Sequence, residues 1–162
     1  MYKRQGKSTL ISVVSSARPK IANYPFTTLI PNLGVVRKID GNGCLFADIP
    51  GLISGAADGV GLGHDFLRHI QRTKILVHLI DAIAENPLHD FEIIEQELKK
   101  YGKGLLDKER IIVLNKMDLV DDNYLKIITK KLKNLSKKKV LVISSSLKKG
   151  LSSLLSEVWK RI

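Results

Sequence analysis

The sequence has few of the features that mark secreted or membrane proteins. Cys44 is the only cysteine among 162 residues, so no disulfide can form within the chain. The longest uncharged apolar stretches, such as ILVHLI at Ile75–Ile80, are far too short to span a bilayer. No apolar stretch follows Met1, so a secretory signal is not expected. These absences favour a soluble protein without a membrane span, and the cytoplasm, a reducing compartment, is its expected location.

Acidic residues are also scarce. The chain has 16 Asp and Glu against 27 Lys and Arg, which gives a net charge of +11. An excess of this size favours a polyanionic partner such as nucleic acid. The densest basic cluster is Lys130, Lys131, Lys133, Lys137, Lys138 and Lys139. The alternative for this cluster is a solvated helix face that runs into a loop, and charge alone carries no sequence specificity.

Short apolar runs alternate with amphipathic segments along the chain. Strands are predicted at Gly34–Lys38, Cys44–Ala47, Ile75–Ile80, Arg110–Leu114 and Lys139–Ile143. The last three are nearly continuous Ile, Leu and Val, as is typical of parallel strands that are covered on both faces. Strands that alternate with helices predict a single three-layer α/β domain with right-handed crossovers. In such folds, ligands bind at the carboxyl ends of the strands.

Four helices are predicted from apolar residues at helical spacing. The first runs from about Lys7 to Ser16 and buries Leu10, Val13 and Val14. The second places Phe91, Ile94, Leu98 and Tyr101 on one face and ends at Gly102. The third carries Leu125, Ile128, Leu132 and Leu135, and the fourth carries Leu151, Leu154, Leu155, Val158 and Ile162.

The first polar motif is GKST, at Gly6, Lys7, Ser8 and Thr9. It matches the end of a phosphate-binding loop, G-x-x-x-x-G-K-[ST], which opens a helix and offers backbone N–H groups to phosphates. Lys7 would contact the β- and γ-phosphates, and the Ser8 hydroxyl would ligate Mg²⁺. Met1 stands where the leading glycine belongs. Alone, the four residues could equally be the N-cap of an ordinary helix.

The second motif is DIPG, which follows a predicted strand and comprises Asp48, Ile49, Pro50 and Gly51. An Asp at a strand end can hold the Mg²⁺ shell through water, and the glycine-bearing turn can offer an N–H to the γ-phosphate. The alternative is a type II turn with its Asp in solvent.

The third motif is NKMD, which follows another strand and comprises Asn115, Lys116, Met117 and Asp118. Asp118 could accept two hydrogen bonds from guanine N1 and N2, donors that adenine lacks. Lys116 would lie along the base plane and Asn115 would brace the loop. After the last strand, a turn of Ser144, Ser145 and Ser146 could place a backbone N–H near guanine O6. Each string alone could be an ordinary polar loop, but their joint order predicts a guanine-nucleotide site.

The chain resembles the Obg family of translation-factor-related GTPases, specifically their central GTPase domain. The most specific stretches are RPKIANYPFTTLIPNLGVV (Arg18 to Val36) and DIPGLISGAADGVGLGHDFLRHIQRT (Asp48 to Thr73). The resemblance implies a P-loop NTPase fold of the Ras-like GTPase type with a mainly parallel sheet. It also implies that the first stretch is switch I and the second is switch II. In switch I, Thr28 would ligate Mg²⁺ when GTP is bound, and the GTP contacts would be Phe26, Thr27, Thr28, Leu29 and Ile30.

The chain departs from the family pattern at its start. The family has G-x-P-N-x before G-K-S, whereas this sequence has MYKRQ. We therefore expect residues 1–5 to be a non-native leader. Residues 6–162 would then be an Obg-type GTPase domain that lacks its first, central strand.

The resemblance implies a monomeric GTP- and GDP-binding protein that hydrolyses GTP with Mg²⁺ and acts with the large ribosomal subunit and its rRNA during assembly. Lys7 and Thr28 would be the catalytic residues. Hydrolysis should be slow, because Leu52 occupies the place of the glutamine that orients water in Ras-like enzymes. Two alternatives stay open. One is a guanine-nucleotide switch module without significant hydrolysis, and the other is a basic RNA-binding domain in which nucleotide binding is incidental.

Overall fold

The computed structural model describes residues 6–16, 20–21, 32–38, 40–48, 73–102 and 104–162. These residues belong to two compact units. One contains Gly6 and residues 73–162, and the other contains the described residues from Lys7 to Asp48. No helix among the described residues is long and apolar enough to cross a membrane.

The smaller unit contains one helix and an antiparallel sheet. Its elements are α1 (Lys7–Val14), β1 (Lys20–Ile21), β2 (Asn32–Arg37) and β3 (Gly43–Ala47). The strand order is β1-β2-β3, and all pairs are antiparallel. The turn between β2 and β3 is closed by hydrogen bonds from Lys38 N–H to the Asn42 carbonyl, from Gly41 N–H to the Lys38 carbonyl and from Asn42 N–H to the Asp40 carboxylate.

Helix α1 packs closely on β2 because residue 34 is glycine. A Cβ atom at Gly34 would lie 2.7 Å from Ile11 Cγ2, so any side chain there would displace the helix. The helix ends at Val14 rather than at Ser16 as predicted, since the Ser16 N–H donates to the Val35 carbonyl at 2.8 Å. The prediction that Val13 is buried was wrong: Leu10, Ile11 and Val14 form the buried face, and Val13 is half-buried.

The larger unit is built on a parallel sheet. Its elements are β4 (Ile75–Asp81), α2 (Pro87–Tyr101), β5 (Glu109–Asn115), a 3₁₀ turn (Met117–Leu119), α3 (Asp122–Ser136), β6 (Val140–Val142) and α4 (Leu151–Trp159). The strand order is β4-β5-β6. In the register of β4 and β5, Asp81 lies opposite Asn115, so the carboxyl ends of these strands are level.

The core of this unit lies between the sheet and two helices. Phe91 of α2 and Ile128 and Leu132 of α3 pack against Ile80, Ile112 and Leu114 of the sheet. Residues 111–115 of β5 are all buried, so both faces of that strand are covered. Gly102 adopts a φ of 65° after α2, and its N–H donates to the Lys99 carbonyl. The predicted stop at Gly102 is therefore confirmed.

Two apolar residues that were predicted on buried helix faces are exposed. Leu135 is 43% exposed, because the inward stripe of α3 continues from Leu132 to the half-buried Ser136, one full turn later. Ile162 is 39% exposed and lies beyond the end of α4 at Trp159. Both predictions were wrong because they extended a helical spacing past the last turn that packs on the core.

One buried histidine lies between α2 and the sheet. The ring of His78 stacks on Phe91 with centroids 5.0 Å apart, and its Nδ1 lies 3.9 Å from Glu95 Oε1. Glu95 accepts a hydrogen bond from the Arg110 guanidinium. Burial, with a smaller contribution from the charge of Arg110, lowers the pKa of His78 to about 4. The imidazole is therefore neutral at neutral pH.

The α/β architecture predicted from the sequence is confirmed. All five predicted strands are present, with ends that shift by up to two residues, whereas the two-residue β1 was not predicted. The three continuous apolar runs form the parallel sheet, as predicted. The antiparallel pairing of β2 and β3 was not predicted from the sequence. Residues 1–5 lie outside the described residues, so the leader and the absent central strand stay predictions.

Candidate nucleotide-binding site

Asn115 joins the loops that follow the strands of the parallel sheet. Its side chain is 1% exposed, and its Oδ1 accepts hydrogen bonds from both the N–H and the hydroxyl of Ser145, each at 3.0 Å. Its backbone carbonyl accepts from the Ala82 N–H. The next loop residue but one, Met117, donates its N–H to the Ile143 carbonyl at 3.1 Å. The loops after β4, β5 and β6 are thus tied together at one edge of the sheet.

Lys116 is held by Asp81, the carboxylate at the end of β4. Its backbone is left-handed (φ 67°, ψ 35°), and its Nζ donates to Asp81 Oδ2 at 2.5 Å. Asp81 is 7% exposed, and its other oxygen accepts from the Ile83 N–H. The carboxylate is therefore paired and hydrogen-bonded on both oxygens, as a buried charge requires. This pairing fixes the position of the Lys116 ammonium.

Asp118 is exposed at the same edge. Its Oδ2 accepts from the Ser146 hydroxyl at 3.4 Å, and the Ser144 and Ser146 hydroxyls lie 3.1 Å apart. Hydrogen bonding from Ser144, with a smaller contribution from Ser146, holds the pKa of Asp118 below its ordinary value. The side chain is therefore an ionised, acceptor-only group at neutral pH, which suits a partner with two N–H donors.

The serine turn has a closed backbone. Ser144 and Lys149 exchange two backbone hydrogen bonds of 3.0 Å, and the Leu147 N–H donates to the Ser144 hydroxyl. Ser144 and Ser145 are buried, whereas Ser146 is exposed. The turn is thus a fixed element on which Ser146 meets Asp118.

The glycine of GKST lies against Asn115. Gly6 has a φ of +86°, and a Cβ atom on it would lie 2.5 Å from Asn115 Nδ2. Only glycine fits this conformation and this spacing without strain. The structure thus brings the first residue of GKST into contact with the first residue of NKMD.

The smaller unit holds the other part of GKST and the Asp of DIPG. Lys7, Ser8 and Thr9 form the first turn of α1, and both Ser8 and Thr9 are exposed. Lys7 Nζ lies 3.2 Å from Asp48 Oδ1, just after β3. That oxygen is buried and makes no hydrogen bond of good geometry, so the contact is an ion pair. The two predicted phosphate-site motifs therefore meet through their charged side chains.

The residues present fit a magnesium ion. Mg²⁺ takes oxygen ligands and keeps several waters, so one or two protein oxygens suffice beside phosphate. The Ser8 hydroxyl and the Asp48 carboxylate supply such oxygens, and Asp48 Oδ1 lacks a hydrogen bond. Among the described residues there is no cluster of three or more His, Cys, Asp or Glu that could cage a metal.

Several predicted site residues lie outside the described residues. They are Phe26, Thr27, Thr28, Leu29 and Ile30 of the first stretch and Ile49, Pro50 and Gly51 of DIPG. Their roles, including Mg²⁺ ligation by Thr28, stay predictions.

Sequence reasoning missed Asp81. A single Asp at the end of an apolar run forms no motif, and the pairing with Lys116 depends on the register of β4 and β5. The available signal was position: the run ILVHLID ends in a carboxylate at the sheet edge where ligands bind.

Comparison with known proteins places this site in context. Residues 2–116 match the family described as "50S ribosome-binding GTPase". A protein named GTPase Obg from Prochlorococcus marinus strain MIT 9301 is 96% identical over 157 residues, covering 97% of this chain and 48% of that protein. The GTPase Obg of strain NATL2A is 60% identical with the same coverage. The chain thus spans about half the length of the curated relatives it matches, and the resemblance to the Obg family is confirmed.

Solved structures share the fold. Era in complex with MgGDPNP and nucleotides 1506–1542 of 16S ribosomal RNA superposes with a TM-score of 0.71 at 24% identity, covering 96% of this chain and 52% of that chain. The G domain of the T. maritima FeoB iron transporter gives 0.70 at 19% identity, with 98% and 92% covered. At these identities the likeness shows the fold alone, and the predicted P-loop GTPase fold is confirmed.

Proposed function

Because this chain belongs to the family of 50S ribosome-binding GTPases, we propose that it is the GTPase domain of an Obg-type protein, binding GTP and GDP and hydrolysing GTP slowly. The observation that carries this proposal is the junction at Asn115. One buried side chain joins the serine turn to NKMD and also contacts Gly6. This arrangement supports a site in which the loops that would read the base of a nucleotide lie against Gly6 of the phosphate loop.

Base recognition falls to the exposed carboxylate of Asp118. As an acceptor-only group, it can pair with the N1 and N2 donors of guanine, and adenine would leave it unpaired. Lys116, fixed by Asp81, lies along the base, and the serine turn supplies a backbone N–H to guanine O6. Asp81 is a positioning residue in this scheme, since it acts through Lys116.

The phosphates bind at the amino end of α1, where backbone N–H groups and the helix dipole favour anions. Lys7 contacts the β- and γ-phosphates. Ser8 and Thr28 would hold Mg²⁺ directly, and Asp48 would hold it through water. When bound, the ion would neutralise part of the negative charge of the phosphates.

We propose that hydrolysis is slow, because Leu52 cannot orient the attacking water as a glutamine does. The partner proposed for the domain is the large ribosomal subunit with its rRNA, during assembly, and the protein acts as a monomer in the cytoplasm. Support for the ribosomal partner comes from the family description and the net charge of +11.

The test is a nucleotide competition assay with Asp118→Asn. The substitution turns an acceptor into a donor at guanine N1, so we expect roughly a hundredfold weaker GDP binding and a new preference for xanthine nucleotides. Asp122→Asn is the matched control, since Asp122 is exposed four residues further on and should leave the affinity for GDP unchanged. Unchanged GDP and XDP affinities in Asp118→Asn would overturn the proposal. Release of phosphate from GTP with Mg²⁺, lost on chelation, tests the hydrolysis.

A further inference from the structure

A row of four lysines lies along α3 and its C-cap. Lys126, Lys130, Lys133 and Lys137 follow at steps of four, three and four residues, which places them on one helix face. We call this row the lysine stripe. All four side chains are exposed, and the row is about 16 Å long at a rise of about 1.5 Å per residue.

Among the described residues, no acidic side chain forms an ion pair with the stripe. Residues 126–139 contain seven lysines and no Asp or Glu. Of these seven, within the described part of the chain, Lys139 alone forms an ion pair, with Glu157 at 3.6 Å. The acidic residues lie elsewhere: α2 carries Asp90, Glu92, Glu95 and Glu97.

Helix stability does not account for this row. Like charges three and four residues apart destabilise a helix. The helix dipole favours cations in the last turn, which suits Lys133 and Lys137. It gives no such benefit to Lys126 and Lys130, in the middle of α3. The repulsion among these like charges therefore opposes the stability of α3, and a bound polyanion would relieve it.

The chemistry of the stripe fits nucleic acid better than a protein or a membrane. The apolar face of α3, with Ile128 and Leu132, is buried in the core. The exposed apolar residues of α3, Ile127 and Leu135, are eight residues apart and form no continuous apolar face that could enter a lipid interface. Tyr124, the aromatic residue of α3, also packs on the core, so the stripe lacks an aromatic anchor. Lysine is depleted at protein interfaces, whereas Lys and Arg supply most contacts to phosphate.

We propose that the lysine stripe binds the phosphate backbone of a structured RNA. The inference rests on the proposed function in one respect, since it is the ribosomal partner that makes RNA the polyanion. Backbone contacts carry no sequence information, so the stripe orients the domain on RNA and tolerates many sequences.

The experiment compares two triple variants with equal loss of charge. The stripe variant carries Lys126→Gln, Lys130→Gln and Lys133→Gln, and glutamine keeps the helix propensity of lysine. The control carries Lys99→Gln, Lys131→Gln and Lys160→Gln, in which Lys131 lies on α3 but off the stripe. Affinity for a fluorescein-labelled RNA stem-loop is measured by anisotropy over a range of salt concentrations.

We expect the stripe variant to bind the stem-loop roughly tenfold or more weakly than the control. The slope of log affinity against log salt should fall by about 2 to 3, at about 0.7 to 0.9 per phosphate contact. Its melting temperature in the absence of RNA should be equal to or higher than that of the unmodified chain, because repulsion within the helix is relieved. Lower affinity for RNA together with undiminished stability separates a binding role from a folding defect.

Three results would overturn the inference. In the first, the stripe variant and the control variant lose RNA affinity equally. In the second, the stripe variant binds RNA as tightly as the unmodified chain does. In the third, the stripe is needed for binding to phosphatidylglycerol vesicles or to polyglutamate instead of RNA. Measuring the affinity for GDP separates a failure of the stripe proposal from a failure of the proposed nucleotide function, because the stripe contains no nucleotide-site residue. Intact GDP binding with stripe-independent RNA binding refutes the stripe alone. Absent GDP binding with stripe-dependent RNA binding refutes the proposed nucleotide function alone.

Discussion

Lys116 Nζ donates to Asp81 Oδ2 at 2.5 Å, which links the ends of two neighbouring parallel strands across the candidate base site. Asp81→Asn removes the charge that holds this ammonium while keeping the shape of the side chain. A charge-assisted hydrogen bond contributes roughly 1.5–3 kcal/mol, so we expect GDP affinity to fall about tenfold or more. Isothermal titration with Mg·GDP measures the effect.

Asp121→Asn provides the control for this variant. Asp121 caps α3 by accepting from the Tyr124 N–H, and asparagine caps a helix about as well as aspartate does. It therefore removes the same charge from the same unit without touching Lys116. If Asp81→Asn bound GDP as tightly as Asp121→Asn, Lys116 would not depend on its partner.

Gly6→Ala should destabilise the protein by two separate effects. A left-handed backbone costs a non-glycine residue about 1–2 kcal/mol, and the new methyl group would meet Asn115 Nδ2 at 2.5 Å. Displacing Asn115 would also disturb its hydrogen bonds to Ser145. We expect lower stability in urea unfolding and weaker GDP binding in the same variant.

Gly41→Ala isolates the first effect, the cost of the left-handed backbone. Gly41 has a φ of +89°, close to that of Gly6, and a Cβ atom there would meet nothing within 4 Å. This variant should therefore show the backbone cost alone and bind GDP normally. Equal losses of stability and equal GDP affinities in the two alanine variants would mean that the contact between residue 6 and Asn115 has no effect.

His78 should make the protein less stable in mild acid. Its pKa is about 4 in the folded protein and about 6.5 when unfolded, so the unfolded chain binds the proton first as the pH falls. The free energy of unfolding does not depend on His78 above about pH 6.5. Below that pH it falls progressively, and the loss reaches roughly 3 kcal/mol at about pH 4. Urea unfolding across this window measures it.

His78→Phe keeps an aromatic ring against Phe91 and removes the titrating group. Protonation of carboxylates also lowers the stability of the protein in acid. One of them is Glu157, whose pKa is lowered to about 2 chiefly by hydrogen bonding from Arg161. The informative quantity is therefore the difference between variants. His89→Gln, at an exposed position on α2, should keep the full pH dependence. An identical pH dependence in His78→Phe would refute the assignment.

The sequence predicted the base-site motifs because parallel strands place their carboxyl ends at one edge. NKMD and the serine turn each follow an apolar run, and the structure joins them through Asn115 and Ser145. Asp81 was not predicted, because its pairing with Lys116 depends on the register between two strands, which the pattern within one strand does not reveal. The pairing of Lys7 with Asp48 was not predicted for a similar reason, since it depends on how α1 and β3 are placed within their unit.

The ends of elements were less predictable than their presence. The apolar spacing located α1 and α3, but the exact inward residues depend on what each helix meets. Gly34 brings Ile11 of α1 against β2, so Ile11 is buried and Val13 is not. Helical periodicity alone does not distinguish them, because Ile11 and Val13 lie at similar angles on either side of the buried line of Leu10 and Val14.

In the ligand-free protein, Lys7 and Asp48 bind each other, so each competes with the ligand that the other would bind. A polyphosphate that takes Lys7 leaves Asp48 without its cation, and the carboxylate then attracts an external cation more strongly. A cation that takes Asp48 likewise removes a group that competes with phosphate for Lys7. Because linkage is reciprocal, phosphate and cation each raise the affinity for the other by the same factor. At the proposed site, this ion pair of 3.2 Å would therefore make the binding of nucleotide and metal cooperative, with no change of backbone required.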